Sequence, residues 1–323
     1  MESEMTLALP RFVAIKAADS GLYLCVRQFR GRPHLQFTAN DISDPTVTME
    51  ILAASGGNVR IRHTSSGKLW NLGDPDFILA DADGTSDADD NRATLFRPFK
   101  LNSKSIGLLN LSNNQFCRRF TQTLISGLNA NSLFTTLVAR LMVEEPVTKR
   151  DISTIKYNLH QSRVYDNETV VLVENSAINR NPNLSTTVDL TLSYKDVWSN
   201  IWKTNLLLKL DAKATFRVES FPIIVNGGKV ESFNQLQELN ELDETLITIT
   251  IKEVAHRVVV PPMTKVVVRL IATKGTADVP FTFTQTDTLI NGDSYTTEVE
   301  DATYTVSNYY NLEFKTEQVP VDA

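Results

Sequence analysis

The sequence predicts an all-β chain in two parts: an N-terminal three-fold barrel of the β-trefoil kind, then an elongated, mostly antiparallel sheet domain. Three observations predict it. Short strand patterns recur about every 47 residues through the first 145 residues of the chain. Longer runs rich in β-branched residues and threonine fill the remainder. Between them, residues 206–252 read as a β-hairpin with one apolar and one charged face.

Length and composition set the bounds. A chain of 323 residues has room for two domains, each with its own core. The balance of 32 basic against 38 acidic residues, net −6, argues against a nucleic-acid or anionic-membrane partner recruited by bulk charge, so recognition is expected to be local. Two cysteines, Cys25 and Cys117, are too few for a secreted disulfide scaffold and are expected to be free buried thiols. The start, Met-Glu-Ser-Glu-Met, lacks a basic segment followed by an apolar run, which leads to the expectation of a cytoplasmic chain. No apolar run approaches the ~20 residues of a membrane helix, so membrane entry would have to be conditional.

The repeat is read from three triplets, Leu22-Tyr23-Leu24, Leu69-Trp70-Asn71 and Phe116-Cys117-Arg118. A short strand pattern precedes each, at 12–16, 59–62 and 106–109, and a polar turn joins the two. An apolar strand is expected to close each copy near Met49, Phe96 and Val138. Three four-stranded units of short strands are a trefoil.

The wording of these copies resembles the amaranthin-type agglutinin domain of plants. The residues that carry the resemblance are 35–42 with Asp44-Pro45, 77–81, 93–97, 106–111 and 117–121. It implies a β-trefoil lectin that looks to galactose-type and N-acetylgalactosamine-containing glycans. A sugar needs an apolar face to rest on and acceptors or amides for its hydroxyls. Residues 70–77 hold all of these, so Asn71, Asp74, Asp76 and Phe77 are the candidate carbohydrate-binding residues, with Trp70 read either as part of that loop or as core. In the family the corresponding loop uses an amide with aromatic or imidazole groups, whereas here Asp74 and Asp76 stand beside Phe77. The acidic run Asp81, Asp83, Asp87, Asp89, Asp90 has the wrong spacing for an EF-hand calcium loop and is read as a solvated loop; no metal site is expected.

From Glu144-Glu145-Pro146 the composition shifts. The trefoil is assigned to residues 1–145, a linker to 146–154 and the second domain to 155–323. A second resemblance covers about 155–315, to the aerolysin-like pore-forming proteins. Its residues are 258–268, 272–275, 279–281 and 286–292. It implies that 206–252 is the pre-stem hairpin, which lies folded on the soluble monomer and later builds an oligomeric barrel. A lectin joined to such a module is the arrangement of plant chimerolectins, a defence class.

In the first arm of that hairpin Leu208, Leu210, Ala212, Ala214, Phe216 and Val218 point one way and charged or polar residues the other; Phe221, Ile223 and Ile224 form an apolar knob before the turn Asn226-Gly227-Gly228. These nine are the candidate membrane residues. The return arm is irregular: Phe233, Leu236, Leu239, Leu242 and Leu246 fall at three- to four-residue spacing, which suits a helix better than a strand. His34, His63, His160 and His256 sit in no nucleophile or metal motif, and no phosphate loop is present, so neither an enzyme nor a cofactor is expected. The expected function is a glycan-binding protein that oligomerises and inserts a β-barrel; the alternative is a lectin whose second domain drives oligomerisation without a pore.

Overall fold

A computed structural model of the chain describes residues 9–84, 91–122, 125–204, 214–239 and 242–321. Its contacts divide into two compact units, one holding residues up to Asp151 together with Thr286–Thr297, the other Ile152–Thr204, Ala214–Gln285 and the residues from Glu298 on.

The first unit contains twelve strands among the described residues: β1 (Phe12–Ala17), β2 (Tyr23–Phe29), β3 (Arg32–Ala39), β4 (Met49–Ala54), β5 (Asn58–His63), β6 (Leu69–Leu72), β7 (Ile78–Ala82), β8 (Phe96–Lys100), β9 (Ser105–Asn110), β10 (Gln115–Phe120), β11 (Gly127–Ser132) and β12 (Leu141–Glu144). Six of them close a ring: β1 pairs β4, β4 pairs β5, β5 pairs β8, β8 pairs β9, β9 pairs β12, and β12 returns to β1. The other six form three hairpins that meet through His34↔Leu79, Gly127↔Gln36 and the bridge Phe77↔Asn129. This is a β-trefoil. Closure leaves no free strand edge in the ring.

The repeat has a shared irregularity. Each hairpin breaks register at one point, between Tyr23 and Leu24, between Leu69 and Trp70, and between Phe116 and Cys117. Leu24, Trp70 and Cys117 are therefore the equivalent positions, and all three are fully buried in one core. A constant spacing of 47 residues pairs Tyr23 with them, one residue off, because Leu24 and Trp70 are 46 residues apart while Trp70 and Cys117 are 47 apart. The third closing strand also begins later than expected: Val138 lies in a 3-10 turn, Leu137–Ala139, and the strand starts at Leu141.

The remaining strands are β13 (Val147–Tyr157), β14 (Arg163–Asn179), β15 (Thr186–Thr204), β16 (Ala214–Val225), β17 (Lys229–Leu239), β18 (Thr245–Val260), β19 (Thr264–Leu289) and β20 (Ser294–Pro320). They follow the order β17-β16-β13-β19-β20-β15-β18, with β14 on β19. The stretch expected as a linker, 146–154, is mostly strand. Val147–Tyr157 is held by backbone pairing, and Arg150 closes a buried ion cluster with Glu145 and Asp287, at 2.6 Å to each. Burial alone would lower the Arg150 guanidinium, but its bonds to Asp287 and the charge of Glu145 push it further up. β19 is a single strand of 26 residues that continues through Gly275 and Pro280. No helix among the described residues is long and apolar enough to cross a membrane.

Candidate functional site

In the trefoil, β6 delivers Asn71 and the loop that follows it delivers Asp74, Asp76 and Phe77. A cis Asp74-Pro75 bond and a left-handed Asp76, φ 62°, turn the chain back toward β7. The loop is fastened to the third hairpin. Asn129 Nδ2 donates to the Pro75 carbonyl at 3.0 Å, the Ala130 amide to the Asp76 carbonyl at 2.8 Å, and Asn113 Nδ2 to Asp76 Oδ1 at 3.4 Å. Asp74 is exposed, Asn71 and Asp76 are half-buried, and Phe77 is only 5% exposed.

That last placement changes what Phe77 can do. Its ring lies 5.9 Å from His34 and 6.2 Å from Phe120, so it fills the junction of the three hairpins and offers no free face to a sugar. Trp70 is fully buried, packed edge-on against Phe96, and its Nε1 has no hydrogen-bond partner. Among the sequence candidates, Asp74 and Asp76 remain as acceptors near the surface. Asn71 points its amide at Asp81, 3.5 Å away, and Asp81 also receives Arg32 at 3.0 Å. Asp83 pairs with Lys68. Asp87, Asp89 and Asp90 lie outside the described residues.

Residues that sequence reasoning missed complete this face. Asn113 touches Asp76 and the Ala130 carbonyl, and Arg118, over the Phe120 ring at 4.9 Å, binds Asn131 at 2.5 Å. Asn113 belongs to the polar turn 112–115 of the third repeat, and Arg118 to the repeat triplet that follows it, neither of which marks a site by itself. Elsewhere in the trefoil Asp44 is tightly held. Burial would raise its carboxyl, but the bonds from Arg27 and Thr46 outweigh this and hold it at about 2.

In the second unit the hairpin is present and docked. β16 and β17 pair from Val225↔Lys229 to Phe216↔Leu239, around a turn in which Gly227 and Gly228 take positive φ. Phe216, Val218, Phe221 and Ile224 are 0–4% exposed and pack with Trp202, Phe281 and Tyr304; Ile223 is half-buried. Phe221 stacks on Trp198 at 5.0 Å. On the outer face Arg217 pairs with Glu238 at 3.1 Å. Ala214 opens β16, while Leu208, Leu210 and Ala212 lie outside the described residues.

The return arm is a strand, Lys229–Leu239, against the helical spacing of its leucines. The register explains it. Val218 faces Gln237 but Ser220 faces Asn234, so β17 carries one extra residue there, and this bulge resets which side chains point inward. Two asparagines of β20 clip the hairpin tip. Asn308 Oδ1 accepts the Ile224 amide at 3.0 Å while its Nδ2 donates to the Ile224 carbonyl at 2.8 Å. Asn311 Oδ1 accepts the Gly227 amide at 2.8 Å, and its own amide donates to Asn226 Oδ1 at 3.0 Å. Beside the hairpin runs a groove of about 690 Å³, whose lining includes Asp196 and Trp198 of β15, Glu231 and Phe233 of β17, and Thr250 and Lys252 of β18.

Comparison with known proteins bears on both units. Residues 7–143 match the family described as the Agglutinin domain, so this part of the chain is an amaranthin-type agglutinin domain. No curated protein matches the chain. Among solved structures, the chain is similar to lamprey immune protein, at 13% identity and TM-score 0.43 over 81% of this chain and 87% of that one. It is similar to an aerolysin-like protein of Bombina maxima, at 15% identity and TM-score 0.35 over 53% of this chain and 99% of that one. A third is the parasporin-2 toxin of Bacillus thuringiensis, at 17% identity and TM-score 0.29 over 53% of this chain and 74% of that one. Scores of this size say nothing by themselves about activity.

Proposed function

With an agglutinin domain over residues 7–143 as the premise, we propose that the chain is a glycan-binding protein that gathers on membranes through its trefoil and there assembles into a β-barrel pore. One observation carries the second half of the reading. A hairpin whose apolar face is buried on the sheet sits in sequence between β15 and β18, which pair with each other along sixteen residue pairs from Thr186↔Val260 to Ile201↔Thr245. A hairpin inserted between two paired strands can leave the sheet without unthreading anything else.

Physics requires company for it. A lone hairpin in lipid would leave its edge amides and carbonyls unpaired, and only a closed ring of hairpins satisfies them. A head that holds copies on one surface raises their effective concentration and so favours closure. The glycan, of galactose or N-acetylgalactosamine type by resemblance, is assigned to the face of Asp74 and Asp76 with Asn113 and Arg118 beside them; Asn71 and Phe77 support that loop from within.

Two measurements test this. Glycan-array binding should fall at least ~10-fold in Asp74→Ala with Asp76→Ala, while the melting temperature stays within the small range of exposed loop changes. Leakage of vesicles that carry the bound glycan should occur with the parent chain and stop when a reversible crosslink pins the β16–β17 tip to β20. If the parent oligomerises on those vesicles and never leaks them, the second domain only assembles the lectin; if no glycan binds, the premise of targeting fails.

A further inference from the structure

The net charge of the chain conceals a segregated one. From Asn91 to Val143, the stretch that runs from β8 into β12, there are seven lysines and arginines and no aspartate or glutamate, whereas the rest of the chain carries 25 of the basic residues and all 38 acidic ones. Inside that stretch lies the loop between β11 and β12, which exposes Leu133 at 68%, Phe134 at 73% and Leu137 at 58%.

The loop is seated on the barrel. Ser132 Oγ donates to the Phe134 carbonyl at 2.8 Å, the Thr136 amide to the same carbonyl at 3.0 Å, and the Ala139 amide to the Thr136 carbonyl at 3.0 Å. Thr135 lies on Gly107 of β9, where a Cβ would come within 2.6 Å of the threonine methyl group. With Thr135 held there, the apolar side chains around it stand in water at a defined place. The strand register then sets basic residues on either side. Gly107 pairs with Phe99 of β8, which is 41% exposed, and Arg97 lies two residues from Phe99 on the same face. Across β9, β12 pairs Leu141 with Ile106, so Arg140, the next residue, falls beside Gly107. Arg97 and Arg140 are both exposed. Asp19 and Glu144, which approach this stretch, are already engaged: Asp19 takes Arg119 at 2.9 Å, and Glu144 takes Lys16 at 3.0 Å and Tyr23 at 2.6 Å.

A single exposed leucine needs no explanation, but three apolar side chains on one short loop, with Phe99 beside them, mark a contact surface. Charge selects its occupant. An isologous pair of chains would set this basic stretch against itself, because a two-fold contact repeats the same patch on both sides. A soluble polyanion would pair with the arginines and leave Leu133, Phe134 and Leu137 in water. A bilayer with anionic headgroups satisfies both parts, since the acyl boundary takes the apolar tips and the headgroups take the arginines.

We propose that the loop at 133–137, with Phe99, Arg97 and Arg140 around it, docks the trefoil on a bilayer surface rich in anionic phospholipid. The contact belongs to the agglutinin unit alone. It needs neither a glycan nor the hairpin of the second unit, and so goes beyond the membrane reading given above.

Sedimentation of the full-length chain with glycan-free vesicles tests it. Vesicles of equal parts phosphatidylcholine and phosphatidylserine should bind the chain at least ~10-fold more tightly than phosphatidylcholine alone, and added salt should weaken that binding. Arg97→Gln with Arg140→Gln, and separately Phe134→Ser, should each weaken it at least ~10-fold, while Phe134→Leu stays near the parent and the melting temperatures do not change. A fluorophore on Phe134→Cys, the one accessible thiol because Cys25 and Cys117 are fully buried, should be quenched by doxyl-labelled acyl chains. Equal binding to both vesicle types, or binding that survives either variant, overturns the inference. Binding without acyl quenching also overturns it, in favour of a polyanion site if a sulfated polysaccharide competes whether or not Phe134 is changed. Absence of vesicle binding overturns it as well, and a dimer that Phe134→Ser dissolves would then assign the face to a second copy of the chain.

Discussion

Asn308→Ala should loosen the hairpin tip more than any surface change of its size. The Asn308 side chain satisfies both the amide and the carbonyl of Ile224, at 3.0 and 2.8 Å, where Ile224 is 1% and Asn308 8% exposed. Removing it leaves a buried donor and a buried acceptor without partners, at ~1–3 kcal/mol each, and the adjoining groove can admit water to offset part of that. A loss of about 2–4 kcal/mol follows, which at ~1.4 kcal/mol per tenfold raises the population of the undocked hairpin ~30- to 700-fold. Asn308→Asp keeps the acceptor for the Ile224 amide and loses the donor, so it should fall between alanine and parent. Native-state hydrogen exchange at the Ile224 amide reads the effect directly, and chemical denaturation reads its global share. If Asn308→Ala exchanges at Ile224 like the parent and lies within ~0.5 kcal/mol of it, the clip holds nothing and the reasoning is wrong.

Arg150→Met should cost ~3–5 kcal/mol in denaturant unfolding, because Glu145 and Asp287 are 3% and 5% exposed at the side chain and would be left as adjacent buried carboxylates; adding Glu145→Gln and Asp287→Asn should recover most of the loss. Asp44, depressed from 3.8 to about 2, binds its proton more weakly folded than unfolded, so its contribution of ~1–2 kcal/mol is present above pH ~4 and is lost as pH falls toward ~2. The melting temperatures of the parent and Asp44→Asn should therefore converge over that window, and parallel curves would refute it. Trp70→Phe should lose less than ~1.5 kcal/mol, since it also removes an N–H without a partner, whereas Trp70→Ala should lose several; equal losses in a thermal melt would show that the ring volume is not what matters.

Sequence reading found what periodicity encodes. The three-fold repeat needed only turns and short apolar runs, and the docked hairpin needed only the alternation that ends at Val218 and the glycine turn. What escaped it was set by single-residue offsets. The bulges facing Leu24, Trp70 and Cys117, at Thr38 of β3, Asp81 of β7 and Asn131 of β11, and the one in β17 shift register by one position, which turns the later side chains of the bulged strand and imitates another spacing. The loop between β6 and β7 was legible as a loop in composition, but the burial of Phe77 follows from three hairpins converging on it, a contact among residues far apart in sequence. The clip by Asn308 and Asn311 could not be read, because an asparagine that bonds a distant backbone looks like any polar residue of a strand. β18 was legible as a β-branched run, yet which of its side chains face water is decided by its pairing with β15.

The two buried cysteines have a consequence for where such a molecule can travel. Both thiols are fully buried, and burial pushes the Cys117 thiol far above its ordinary range, so the reactive thiolate is scarce and shielded. Passage from a glutathione-rich to an oxygen-rich medium leaves the covalent structure as it was. The fold is held by packing and hydrogen bonds alone, and neither thiol needs to be oxidised to complete it.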